Sequence, residues 1–132
     1  MPIEFNIATN EGEFDLEAKV LKIGDDLLVA IWGGEKPHIG ALAMSQPRPS
    51  ISDHNITSST TSVFTYLGHK EDELAKKIGG DLAAALETKV VVTAGIHWDN
   101  IDTDGIQMIL KNSKILKDMI LERLISLRDD NQ

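Results

Sequence analysis

The chain has no cysteine, only three arginines, and no apolar run long enough to cross a bilayer. Without cysteine there are no disulfides and no thiolate metal ligands. A spanning helix needs about 20 apolar residues, and a secretory signal needs a basic stretch ahead of an apolar core. Neither is visible, so a cytosolic protein is expected. Basic residues are outnumbered, 13 Lys and Arg against 21 Asp and Glu, for a formal net charge of -8. This argues against nucleic-acid binding, which calls for a basic face, and against docking on an anionic membrane. Repeats and low-complexity tracts are absent, as are the nucleophile elbow, the Walker loop and the dinucleotide fingerprint. What is present is ordinary globular composition, 42% hydrophobic and 26% charged. The length suits one domain over residues 1–132 with a core of its own.

The pattern begins with strands. Residues 3–9 (I-E-F-N-I-A-T) alternate, with Ile3, Phe5 and Ile7 on one face. A turn at Asn10-Glu11-Gly12 follows, and the alternation resumes through Phe14, Leu16, Ala18 and Val20. After Gly24-Asp25-Asp26, residues 27–32 form a third, more apolar strand, completing a meander. Residues 39–44 read as a fourth strand. Prolines at 47 and 49 make residues 45–55 an extended irregular loop. Residues 56–67 are rich in hydroxyls and β-branched side chains, the mark of a strand with an exposed edge.

Helix signals then take over. Leu74, Ile78, Leu82 and Leu86 recur every four residues, and acids at 71–73 complement the helix dipole. Gly79-Gly80 in mid-helix costs roughly 1 kcal/mol per glycine against alanine. The ridge Ala75, Gly79, Ala83 explains the cost by letting the helix lie close on a sheet. Residues 90–97 (V-V-V-T-A-G-I-H) form a last strand: Val90, Val92, Ala94 and Ile96 need cover, while Val91, Thr93, Gly95 and His97 face the other way. Asp102, Thr103 and Asp104 offer caps for a final helix to about Leu127. Its core stripe is expected to be Ile106, Ile109, Leu110, Leu116, Ile120, Leu124 and Leu127. Ile115, Met119, Leu121 and Ile125 widen it beyond one packing surface, which points to a second copy of the chain. The expected architecture is α+β, in the order β-β-β-β-β-α-β-α, with a mainly antiparallel sheet and two helices on one face.

Three groups of residues have chemical possibilities. Gly68-His69-Lys70 stands at a strand-to-helix junction, where free N–H groups favour anions, although the acids that follow oppose them. Arg48, between prolines and near Ser45, Ser50 and Ser52, has the means for a paired grip on phosphate; a solvated loop is the plainer reading. His97 with Asp99 and Asn100 gives an H-x-D spacing for acid–base work or ligation, or else simply the turn and cap before the last helix. With four histidines and no helical histidine pair, a dedicated metal site is not expected. Trp98 reads as core.

Gly68-His69-Lys70-Glu71-Asp72 ahead of a helix, with Gly95-Ile96-His97-Trp98-Asp99-Asn100 after a strand, resembles the LpdD-like prenylated-flavin chaperone family. These two motifs are its specific part, although the length and order of elements agree throughout. The resemblance implies a fold similar to the small proteasome-assembly chaperones, usually dimeric. It also implies a non-catalytic protein that binds prenylated FMN (or FMN) and assists maturation of a UbiD-like aromatic-acid decarboxylase. His69 and Lys70 would then serve the phosphate end, and Gly95, His97, Asp99 and Asn100 would shape the pocket, Gly95 giving the isoalloxazine a side-chain-free surface. Arg48 and Ser50 join this set on geometric grounds only. Two readings of other classes stand beside it: a protein-interaction chaperone without flavin, and a small enzyme using His97 and Asp99.

Overall fold

The computed structural model describes residues 3–66 and 71–130. Its elements are β1 (Glu4–Ala8), β2 (Leu16–Ile23), β3 (Asp26–Gly34), β4 (Ala41–Pro49), β5 (Thr57–Thr65), α1 (Asp72–Leu86), β6 (Val90–His97) and α2 (Thr103–Asp130). The order is the expected one. All six strands lie in one sheet, arranged β1-β2-β3-β6-β4-β5. β6 is inserted between β3 and β4, parallel to the first and antiparallel to the second, and every other pairing is antiparallel.

Alternation along each strand becomes a row across the sheet. Phe5, Val20, Val29, Val92, Ala43 and Val63 follow one another from strand to strand. Of these, Phe5 through Ala43 are buried in the core beneath both helices. α1 covers β4, β5 and β6, while α2 covers β1 and β2. The ridge on α1 acts as its composition implies. A Cβ on Gly79 would stand 2.9 Å from Ser45 Oγ and 3.4 Å from Val92 Cγ2, so the helix is seated directly on the sheet.

Two expectations need correction. Residues 45–49 are the second half of β4, paired with β5 from Ser45↔Thr61 to Pro49↔Thr57. Ser50 donates its N–H to Ile56 O across that pair. By alternation the ring nitrogens of Pro47 and Pro49 face the other side, where pairing with β6 has already ended at Ser45↔Val90. No donor is needed there, so the prolines are tolerated. The second correction concerns α2. Its buried stripe is Gly105, Ile109, Asn112, Leu116, Ile120 and Leu124, whereas Ile106 and Leu110 are about half exposed. Asn112 holds a core position by donating Nδ2–H to Phe14 O at 2.7 Å.

Candidate functional site

The motif residues after Gly95 stand where β3 and β6 leave the sheet together. β6 ends against Gly33 and Gly34, and the ring of Trp98 lies over both glycines. Trp98 also meets Phe14 edge-on, centroids 5.3 Å apart, and packs against the core as expected. The strand ending therefore turns sharply. Glu35 N–H donates to His97 O, and Asp99 N–H donates to Glu35 Oε2 at 3.0 Å. That turn brings His97 Nε2 to 2.8 Å from Asp99 Oδ1, with Lys36 Nζ at 3.7 Å on the same oxygen. The His97 contact first, then Glu35 and Lys36, holds the Asp99 carboxyl below its ordinary range. Asn100 takes the left-handed φ of 56° that an asparagine tolerates. Asp102 then caps α2, accepting from Gly105 N–H at 2.8 Å.

Gly95 has a different use from the one foreseen. Its bare backbone is covered by the chain itself: a Cβ there would collide with the His38 carbonyl. The flat surface imagined for a flavin ring is thus taken by the segment leading into β4. This close crossing sets up a second group of residues that local sequence gave no hint of. The His38 ring places Nδ1 2.7 Å from Lys36 O and Nε2 2.8 Å from Glu71 Oε1. A carbonyl only accepts, so Nδ1 carries a proton and Nε2 is turned to the carboxylate. Glu71, just ahead of α1, is 7% exposed and also accepts from Ile96 N–H at 3.2 Å. Gly40 makes room for it, since a Cβ there would stand 2.5 Å from Glu71 Oε2.

Beside this pair opens a crevice of about 500 Å³. Its apolar lining comes from Leu74 of α1, Ile96 and Trp98 at the end of β6, and Ile101, Ile106, Ile109 and Leu110 on and before α2. His38, Glu71 and His97 supply polar groups, with Glu73 on the rim. The two α2 side chains that failed to enter the core, Ile106 and Leu110, are therefore walls of a cavity. Size and lining are those of a small-molecule site: mostly apolar, with a few convergent polar groups.

The other foreseen residues fall elsewhere. Arg48 donates Nε–H to Thr60 Oγ1 at 2.7 Å, and Ser50 Oγ lies 3.0 Å from Ser52 Oγ. Gly40 pairs with the exit of β6, donating to Ala94 O, and Arg48 lies eight residues further along β4. At ~3.3 Å per residue that is roughly 26 Å, more than one flavin mononucleotide bridges. Arg48 and Ser50 therefore stand at the opposite end of the sheet from His97. His69 and Lys70 lie outside the described residues.

A sheet covered on one side, with a deep apolar crevice at the mouth of its two helices, is the frame of a binding protein. Sequence comparison identifies which kind. Residues 10–125 match the prenylated flavin chaperone LpdD-like domain, and the chain belongs to that family. No curated protein sequence matches it. Among solved structures, a chain from a chaperone complex for yeast 20S proteasome assembly is similar over 98% of this chain and 95% of its own, at 11% identity and a TM-score of 0.48.

Proposed function

We propose that this protein is a non-catalytic, cytosolic accessory factor that holds prenylated FMN in the crevice beside His97. It delivers or stabilises that cofactor during maturation of a UbiD-like aromatic-acid decarboxylase, working as a homodimer. The observation that carries the reading is the apolar crevice placed directly beside the family's Gly-Ile-His-x-Asp-Asn motif. An isoalloxazine bearing a prenyl-derived ring is a large, mostly apolar body, and the side chains of Leu74, Trp98, Ile106 and Leu110 match it in character and extent. His97 and the His38–Glu71 pair offer hydrogen-bonding groups to the polar edge of the ring. His69 and Lys70, next in sequence to Glu71, serve the phosphate. Arg48 and Ser50 have no part in this site. When bound, the flavin carries its own redox chemistry; the protein's task is to shield it from water and orient it. Asp99 positions His97, and Gly95 positions His38 by admitting its backbone.

The test is to titrate the purified chain with prenylated FMN and with FMN, following flavin absorbance and fluorescence. Burial of the ring predicts a spectral shift that saturates at one flavin per chain, larger for the prenylated form. Unchanged spectra across the titration would remove the cofactor from the account. The maturation role is read separately, from activity of a UbiD-like decarboxylase produced with and without this chain.

A further inference from the structure

Both helices lie on one side of the sheet, and among the described residues no element covers the other. That bare side is not a polar one. Across the central strands it presents Leu21, Leu28, Val91 and Met44 in one registered row, and Ala30, Thr93, Leu42 and Phe64 in the next. Met44 is 58% exposed and Phe64 63%, and Phe64 makes an edge contact with the equally exposed Tyr66. An isolated exposed apolar side chain is ordinary; a contiguous block across four strands marks an interface.

We propose that this open face is where a second copy of the chain docks, sheet against sheet, giving a four-layer dimer with its helices outermost. This rests on the homodimer in the reading above and assigns it a surface, the sheet in place of the last helix. Two observations select a second copy over another occupant. The first is charge. The strands direct Glu4, Glu17, Asp26, Lys19 and Arg48 to this side, three carboxylates against two cations. Lys19 is paired to Glu4 at 2.7 Å, and Lys89 to Asp26 at 3.3 Å. The face thus carries almost none of the chain's net charge of -8, so two copies meet here without the repulsion any other pairing of surfaces would bring. The second is extent. Six strands about 4.8 Å apart and roughly 20 Å long cover on the order of 600 Å² in projection. A stable interface buries about 800 Å² of accessible surface per partner, which a pleated face of that size provides. Packing sheets face to face is also how two such faces bury alternating side chains. The crevice, on the helical side, remains open in this arrangement.

The experiment is sedimentation equilibrium of the full chain and of three folded variants, with far-ultraviolet circular dichroism as the check on folding. Wild type is expected at twice its 14.5 kDa chain mass. Met44→Glu and Phe64→Glu, both at exposed positions, are expected to halve that mass, while Ile125→Glu on α2 leaves it unchanged. A monomeric wild type would overturn the proposal, as would a dimer that survives both sheet-face changes or is split only by Ile125→Glu. Flavin titration is independent of this outcome: a dimer split by Met44→Glu supports the interface even if no flavin binds, and a flavin-binding monomer refutes it.

Discussion

The carbonyl of His38 lies on the bare backbone of Gly95, in space that a Cβ would occupy. This crossing fastens the entry of β4 to the exit of β6 and brings His38 to Glu71. Gly95→Ala must therefore push two backbone segments apart. Such overpacking costs typically 1–3 kcal/mol, and more where backbone cannot yield. A loss of about 3 kcal/mol is expected in denaturant unfolding. A change under ~1 kcal/mol would mean the crossing is loose.

The adjacent glycines of α1 are expected to respond with opposite signs. Gly79 abuts the buried Ser45, whose hydroxyl is held 2.7 Å from Thr61 Oγ1, so Gly79→Ala should cost about 1–2 kcal/mol. Gly80 faces Ser59 Oγ at 3.2 Å and Thr61 Oγ1 at 3.4 Å on the edge strand, where a serine hydroxyl is able to rotate away. Gly80→Ala then keeps the helix-propensity gain and stabilises by roughly 0.5–1 kcal/mol. Thermal unfolding of the two variants decides the matter.

Acid sensitivity should have an identifiable source in the first turn. Asp15 accepts from Glu11 N–H at 2.7 Å, Thr9 Oγ1–H at 2.8 Å and Gly12 N–H at 3.3 Å. The Glu11 amide first, then the Thr9 hydroxyl, lowers its pKa from the usual 3.8. A depressed carboxyl contributes stability that is fully present above its unfolded pKa and is lost as pH falls through the folded value. Between neutral pH and about pH 5, Asp15→Asn should thus lower the urea midpoint by a constant amount. Below the ordinary carboxylate range the difference from wild type should shrink. A gap that is constant down to strong acid would contradict this.

Much of the fold was legible because strand periodicity is local. Alternation in residues 3–7 and 16–20, and the valines of β6, marked the buried face correctly. The polar first half of β5 marked an edge strand, and the small-residue ridge of α1 marked its seat. What failed was whatever depends on distant partners. Nothing near Pro47 and Pro49 tells that β6 stops at Val90 and leaves their nitrogens unopposed. Ile106 and Leu110 fit the helical period as well as Ile109 does, yet the diverging mouth of the two helices leaves them lining a crevice. Asn112 occupies a core position because of Phe14, which is 98 residues away. In the site, the pairing of His97 with Asp99 followed from two-residue spacing, whereas His38 and Glu71 meet only through the β4–β6 crossing.

The central claim is that the crevice holds the prenylated flavin, and calorimetric titration of wild type beside Leu110→Glu tests it most directly. Leu110 is 52% exposed, so the folded state tolerates the change, while a carboxylate replaces an apolar wall. The account predicts saturable binding by wild type and at least about tenfold weaker binding by the variant, equivalent to 1.4 kcal/mol or more. Equal affinity for both proteins, or no heat with either, would contradict it.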